Sequence, residues 1–203
     1  MEHDGYEFTA NWFSGTEKIW RVVFQQLALD PKKILEIGCY EGRSAMWLLA
    51  NAFKAEGALY CVDSWLGGIE HDSEEMSQVE ARFDANLAKA KVATPRVTLH
   101  KLKGRSDQIL PELIAKEHAE TFDFIYVDGS HQTADVLTDL VLSFVLCRPG
   151  GIIVCDEYLW GTGENPLAVP KLGIDAFVNC FSRKVAVVQN VPLYQLFLRK
   201  LVT

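Results

Sequence analysis

Short apolar segments alternate with helical patterns along most of this sequence, and that alternation restricts the fold more than any other feature. Five segments have the apolar, β-branched composition of buried strands: residues 33–38, 58–63, 96–102, 122–128 and 151–156. Amphipathic stretches lie between them, such as one in which Phe83 and Leu87 are one helical turn apart. Strands alternating with helices are typical of parallel βαβ units, so we predict an α/β fold with a doubly wound, Rossmann-like sheet.

Different patterns occur at the two ends of the chain. Before the first strand, Trp20, Val23 and Phe24 form a helical stripe, which we assign to an N-terminal helical or lid segment, residues 1–30. Near the other end, two β-rich runs are joined by a link too short for a parallel crossover. We therefore predict a mostly parallel seven-stranded sheet with a C-terminal antiparallel hairpin, formed by a single domain over residues 1–203.

Composition and charge disfavour several kinds of partner. The formal net charge is -7 and no Lys/Arg cluster offsets it, so a nucleic-acid backbone is not expected as a partner. The sequence has neither a secretory signal pattern nor a run of about 20 apolar residues, so we expect a cytoplasmic protein without a membrane partner. The five cysteines lack C-x-x-C spacing, which indicates reduced structural residues. A small molecule is the expected partner, and a homo-oligomer is compatible with the sequence.

Two glycines punctuate the turn after the first strand, in the segment Ile-Leu-Glu-Ile-Gly-Cys-Tyr-Glu-Gly-Arg-Ser at residues 34–44. Gly38 and Gly42 would let a ligand approach bare backbone near the positive end of a helix that we expect to begin near Arg43. The spacing is not G-x-G-x-x-G, and no P-loop lysine follows, so a dinucleotide or nucleoside-triphosphate site is disfavoured. The glycines also suit an ordinary strand-to-helix turn without a ligand.

An acidic residue, Asp63, ends the second predicted strand. A carboxylate at this place can accept the hydroxyls of a ribose, although it can also cap a loop. With these two signals the chain resembles class I S-adenosylmethionine-dependent methyltransferases: residues 36–42 match their first motif, and Cys-Val-Asp at residues 61–63 matches their second acidic motif.

The resemblance extends through most of the remaining sequence. It continues in residues 104–106, 122–131 and 148–157, and the Asp-Gly-Ser-His and Asp-Glu segments are most similar to macrocin-type sugar O-methyltransferases and their small bacterial relatives. The resemblance implies that S-adenosyl-L-methionine is the cofactor, with its methionine part at residues 36–42, its ribose at Asp63 and its adenine near Ser106, which also suits a helix N-cap. The cofactor-binding candidates are Glu36, Gly38, Cys39, Tyr40, Gly42, Ser44, Asp63, Ser106 and Asp128.

Three carboxylates are expected to meet at one edge of the sheet. Asp128 ends the fourth predicted strand, and Asp156 and Glu157 end the fifth; neighbouring strands lie about 4.8 Å apart. Carboxylates this close repel one another unless they are protonated or bridged, which favours Mg²⁺ or another hard divalent cation. In the metal-free alternative, Asp128 contacts substrate or cofactor while the other two cap a loop. Because Asp-Glu replaces the more usual Asp-Asp or Asp-Asn of related sites, a supporting role for Glu157 also stays open.

A histidine follows three positions after Asp128. An imidazole can accept a proton near neutrality, and the resemblance makes His131 the general base and Asp128 its catalytic neighbour, although a capping or surface histidine is the alternative. The predicted function is a divalent-metal-assisted O-methyltransferase acting on a hydroxyl of a sugar-like or other small molecule. A metal-independent N- or carboxyl-methyltransferase and a non-catalytic nucleoside-binding module are the rivals, and an NAD-dependent oxidoreductase is disfavoured by the missing glycine.

Overall fold

A computed structural model of the chain describes residues 5–68, 75–161, 163 and 165–202. Residues 1–4 of the predicted N-terminal segment lie outside the described residues. The helices are α1 (Glu17–Gln26), α2 (Arg43–Asn51), α3 (Met76–Ala93), α4 (Ser106–Leu113), α5 (Thr133–Leu146) and α6 (Pro170–Cys180). The strands are β1 (Lys33–Ile37), β2 (Gly57–Asp63), β3 (Val97–Lys103), β4 (Phe122–Val127), β5 (Cys147–Cys155), β6 (Val185–Val187) and β7 (Leu196–Lys200).

The seven strands form one sheet in the order β3-β2-β1-β4-β5-β7-β6. β1 to β5 are mutually parallel, whereas β7 runs antiparallel to both of its neighbours, β5 and β6. The predicted mostly parallel, Rossmann-like sheet with a C-terminal antiparallel hairpin is therefore confirmed. The order of the two hairpin strands was not predicted. β7 lies inside the sheet between β5 and β6, and β6 lies at the edge.

Helices cover both faces of the sheet. Apolar side chains of α1, α2 and α3 pack on one face and those of α4, α5 and α6 on the other, as expected for parallel strands that are buried on both sides. The predicted stripe on the N-terminal helix is confirmed, since Trp20, Val23 and Phe24 are all buried in the first of these layers. The helix-covered sheet leaves the carboxyl ends of its parallel strands as the place for a ligand.

All five cysteines are free; four are buried, whereas Cys180 at the end of α6 is exposed. Within the described residues, none of the helices combines the length and the apolar character that crossing a bilayer requires.

Candidate functional site

A cavity of about 770 Å³ opens at the carboxyl ends of β1, β2, β4 and β5. Most of the residues singled out in the sequence line this cavity: Gly38, Cys39, Tyr40, Ser44, Asp63, Ser106, Asp128, His131, Asp156 and Glu157. Glu36 and Gly42 do not line it. Glu36 is fully buried beneath the turn, and Gly42 faces the Phe83 ring. Both residues help to shape the turn, and their contact with the cofactor stays a prediction.

Gly38 lies directly after β1 and against the backbone of Asp128, which follows β4. Its φ is +82°, and a Cβ placed there would come within 1.9 Å of the Asp128 carbonyl oxygen. The backbone N–H of Asp128 donates to the Ile37 carbonyl at 2.8 Å on the same side. A side chain at position 38 would separate the two strand ends, so the first glycine of the turn places Asp128 beside the turn.

Asp63 holds the glycine turn through its carboxylate. Oδ2 accepts backbone N–H groups from Cys39 at 2.8 Å and Tyr40 at 3.0 Å, while Oδ1 accepts from Trp65 at 2.7 Å. The loop-capping alternative thus describes part of its role. A carboxylate has about four lone-pair positions, so Asp63, which also lines the cavity, retains capacity to accept a hydroxyl from a ligand.

Beneath the turn, Glu36 is part of a buried and neutral cluster. The Ser44 hydroxyl donates to Glu36 Oε1, and burial raises the pKa of Glu36 to about 8. Among the described residues, the ligand atoms of Glu36, Cys39 and Cys61 come within 4.8 Å of one another. Burial also raises the pKa of the Cys39 thiol well above its usual range. Protonated groups can share this space without repulsion, so the cluster is explained by packing and needs no cation.

The raised pKa of Glu36 makes stability depend on pH. Because the folded pKa of about 8 exceeds the ordinary value of 4.5, this stability is fully present below pH 4.5 and is lost as the pH rises through 8. We expect the free energy of unfolding of the wild type to fall more steeply over this range than that of Glu36→Gln, by up to about 1.4 kcal/mol per pH unit. Urea unfolding at a series of pH values measures both slopes, with exposed Glu112→Gln as the control. Equal slopes would contradict the buried, protonated state.

At the other end of the cavity, a tyrosine hydroxyl lies between two carboxylates. Tyr126 Oη is 2.9 Å from Asp128 Oδ2 and also hydrogen-bonds Asp156 Oδ2. Burial, followed by repulsion from Asp156, raises the pKa of Asp128 well above its usual range, and burial raises the pKa of Asp156. A phenol has only one proton, so Tyr126 can donate to only one of the two carboxyl groups. The second hydrogen bond forms when the other carboxyl group carries a proton and donates it to the phenol oxygen. Periodicity identified Tyr126 only as a strand residue.

The Glu157 carboxylate contacts the His131 imidazole. Its Oε2 lies 2.8 Å from His131 Nε2, and the His131 ring packs against Trp160 with 4.7 Å between ring centroids. Glu157 adopts a φ of +54°, which is uncommon for a residue with a side chain. This conformation turns the carboxylate toward the imidazole, in keeping with the supporting role that the sequence left open.

The donors at this end fit a hard cation in chemical type. Asp128, Asp156 and Glu157 all line the cavity with carboxylate side chains. However, the three carboxylates do not come within 4.8 Å of one another as Glu36 and the cysteines do. The three side chains therefore have the chemistry and burial that suit a divalent ion, but they do not form a preformed coordination site.

The adenine candidate, Ser106, is the first residue of α4. Arg105 holds the N-cap position, so the alternative that Ser106 is the N-cap was wrong. The Ser106 side chain lies near Asp139 on α5, and burial raises the pKa of Asp139 to about 7. Both residues line the cavity, so the start of α4 and this part of α5 form one wall of it.

The segment before α1 supplies another wall. Thr9 hydrogen-bonds Glu41 through both its backbone N–H, at 2.6 Å, and its hydroxyl, at 2.7 Å. The Trp12 ring, although 64% exposed, lies 4.8 Å from the Tyr40 ring, and both line the cavity. The position of this segment over the glycine turn is the one that a lid would occupy.

Comparison with known proteins yields one family and several relatives. Residues 35–158 match the model of a family described as a methyltransferase domain. The chain is 27% identical over 139 residues to the O-methyltransferase hkm8 of Aspergillus hancockii, a match that covers 68% of this chain but only 47% of that protein. The chain thus spans about half the length of this curated relative.

Solved structures share the fold. TomG, an O-methyltransferase of Streptomyces achromogenes solved with SAM, is 23% identical with a TM-score of 0.66, covering 94% of this chain and 81% of TomG. MycE, a methyltransferase of mycinamycin biosynthesis solved with Mg, SAH and mycinamycin VI, is 19% identical with a TM-score of 0.58, covering 96% of this chain and 51% of MycE. The resemblance identified in the sequence is confirmed, and the chain belongs to the methyltransferase domain family.

Proposed function

We propose that this protein transfers a methyl group from S-adenosyl-L-methionine to a hydroxyl of a small molecule, with the assistance of a divalent cation. One observation carries the proposal: a single cavity joins the glycine turn and Asp63 at one end to His131 and three carboxylates at the other. The relatives hkm8 and TomG are described as O-methyltransferases, which supports the reaction class. We further propose that residues 1–203 act as one domain.

In this proposal the turn binds the cofactor. Residues 38–40 offer backbone to its methionine part, Asp63 accepts its ribose hydroxyls, and Ser106 lies beside its adenine. S-adenosyl-L-methionine supplies an electrophilic methyl group on a sulfonium, and the acceptor oxygen displaces S-adenosylhomocysteine from it. The chain contributes by holding the two reactants in line within the cavity.

The carboxylate end of the cavity handles the acceptor hydroxyl. His131 takes the hydroxyl proton, and Glu157 Oε2, 2.8 Å from Nε2, helps to orient the imidazole. Asp128, Asp156 and Glu157 would hold the cation, which when bound supplies Lewis-acid stabilisation of the charge developing on the acceptor oxygen. MycE contains Mg, which supports a metal at this site in the present chain.

The proposed acceptor is a sugar or another polyhydroxylated small molecule. A vicinal pair of oxygens can chelate a divalent cation, and the exposed aromatic rings of Trp12 and Tyr194 at the cavity can pack on the apolar face of a sugar. Catechol-like phenols meet the same requirement for paired oxygens. Polyhydroxylated molecules and phenols are therefore both tested as acceptors.

A metal-independent methyltransferase is the second candidate, and one observation favours it. The Tyr126 hydroxyl already hydrogen-bonds both Asp128 and Asp156, so these carboxylates have a partner without a cation. In that case His131 would act on the acceptor alone, and an amine or carboxyl acceptor would be as suitable as a hydroxyl.

A mass-spectrometric screen for the gain of a methyl group distinguishes these functions. Polyols, phenols, amines and carboxylic acids are incubated with S-adenosyl-L-methionine, with divalent metal or with a chelator. Methylation of a hydroxyl that requires metal supports the proposal. Methylation that survives chelation supports the metal-independent candidate, whereas binding of S-adenosylhomocysteine without turnover of any acceptor indicates a nucleoside-binding module.

We expect Asp63→Ala to weaken the binding of S-adenosylhomocysteine by about 1.5 to 3 kcal/mol, because charge-assisted hydrogen bonds to the ribose and to the turn are both lost. Isothermal titration calorimetry measures the change, and circular dichroism checks that the variant is folded. Asp84→Asn, a carboxylate on α3 that is 53% exposed, serves as the control. Unchanged affinity in folded Asp63→Ala would remove Asp63 from the cofactor site.

A further inference from the structure

Tyr126 is a buried polar residue that has no role in the proposed reaction. It lies on β4, is 1% exposed, and carries its hydroxyl at the point where two strand ends meet. Tyr126 and Asp128 are two positions apart, so their side chains leave the backbone on the same side. Val127 pairs with Cys155 on β5, which places Asp156 alongside. The hydroxyl can therefore hydrogen-bond both carboxylates.

A second buried side chain completes this arrangement. Gln195, which is 2% exposed and directly precedes β7, donates from Nε2 to Tyr126 Oη at 3.5 Å, on the side of the Asp156 carboxylate. Trp20 Nε1 on α1 donates to Gln195 Oε1 at 2.6 Å. Because the amide oxygen accepts from the indole, the amide nitrogen faces the tyrosine hydroxyl.

We infer that Tyr126, Gln195 and Trp20 form a positioning chain that holds Asp128 and Asp156 in the orientation in which they bind a divalent cation. The inference rests on the metal-assisted function proposed above. None of the three residues is assigned a contact with substrate or cation. Their role is to fix the carboxylates, and through Trp20 they connect α1 to the carboxylate end of the cavity.

The physical reason is that a buried carboxyl group needs a hydrogen-bond partner. Without the Tyr126 hydroxyl between them, Asp128 and Asp156 would turn toward other partners, and binding a cation would then require them to turn back. The hydroxyl, which is itself held by the Gln195 amide, restricts both side chains before the cation arrives. Loss of a hydrogen-bond partner behind a metal ligand commonly costs 10- to 100-fold in metal affinity.

The first test measures Mn²⁺ binding directly. The free ion is followed by electron paramagnetic resonance during titration of the full chain. We expect Tyr126→Phe to raise the dissociation constant for Mn²⁺ by about 10- to 100-fold while the affinity for S-adenosylhomocysteine is retained. The control is Tyr60→Phe, since Tyr60 is also buried in a strand but stacks on His100 on the opposite face of the sheet. Tyr60→Phe should bind Mn²⁺ as the wild type does.

The second test separates the hydrogen bond of Trp20 from its packing. Trp20→Phe keeps an aromatic ring but removes the indole donor to Gln195, so Mn²⁺ affinity should fall in the same direction as in Tyr126→Phe. Trp47→Phe is the matched control, because Trp47 is also buried and its indole nitrogen has no hydrogen-bond partner in the described chain. Equal losses in both tryptophan variants would assign the effect to packing and overturn the role of Trp20.

The outcomes distinguish this inference from the proposed function. If the wild type binds Mn²⁺ and Tyr126→Phe binds it equally well, the positioning chain is overturned and the metal site stands. If the wild type binds S-adenosylhomocysteine but no Mn²⁺, the metal-assisted function fails and the positioning role fails with it. Weakened Mn²⁺ binding in Tyr126→Phe and Trp20→Phe, with both controls unchanged, supports the positioning chain.

Discussion

Replacing His131 with alanine is expected to lower kcat by about 10² to 10⁴-fold, the range for loss of a general base, while the affinities for cofactor and metal are retained. The imidazole lines the cavity beside Asp128 and lies 2.8 Å from Glu157, so its loss removes the proton acceptor and leaves the carboxylates in place. Single-turnover methylation with the acceptor found by mass spectrometry measures the chemical step, and calorimetry measures cofactor binding.

His118→Ala is the control for this experiment. His118 precedes β4 and therefore lies at the opposite end of the sheet from the cavity, where its Nδ1 contacts Lys33 Nζ. It should retain normal turnover. A fully active His131→Ala enzyme would mean that another group takes the proton or that the acceptor arrives already ionised, and the assignment of His131 as the base would then be abandoned.

Removal of the metal, or the substitution Asp128→Asn, is expected to reduce methylation of the acceptor by at least about 100-fold, comparable to the loss of one strong stabiliser of a developing oxyanion. Cofactor affinity should largely survive, because the glycine turn and Asp63 remain. Activity assays after exhaustive chelation, followed by re-addition of Mg²⁺, test the metal. Recovery of activity on re-addition separates metal loss from irreversible unfolding.

Asp128→Asn keeps the shape of the side chain and still accepts a hydrogen bond from Tyr126, so its effect reports mainly on the loss of a carboxylate oxygen as a ligand for the cation. Asp84→Asn provides an exposed carboxylate replacement for comparison. Undiminished activity after complete metal removal would reject the metal-assisted reaction and leave the metal-independent methyltransferase as the working proposal. Loss of S-adenosylhomocysteine binding in Asp128→Asn would instead assign Asp128 mainly to the cofactor.

The sequence was most informative where a residue's role depends on its position at a strand end. Gly38, Asp63, Asp128 and Asp156 each follow or end an apolar run, and parallel strands bring such positions to one edge of the sheet. Local pattern and the family resemblance were therefore enough to predict the fold and many of the residues that line the cavity. Their chemical types were visible in the sequence as well.

The contacts that orient these residues could not be predicted in the same way. Trp20 and Gln195 are separated by 175 positions, and nothing in the local pattern of either indicates a hydrogen bond between them. Tyr126 fits a buried strand equally well with or without a partner for its hydroxyl. The neutral state of Glu36 depends on burial beneath the turn, which follows from packing rather than from spacing. Long-range partners of this kind require the folded structure.

The position of β7 has a consequence for synthesis of the chain. β7 pairs with β5, yet it is made after α6 and β6, so a growing chain exposes one edge of β5 until residues 196–200 have been added. That strand contains Ile152, Ile153 and Val154, and an apolar strand with an open edge is a template for aggregation. A growing chain is therefore most exposed to aggregation before residues 196–200 have been added.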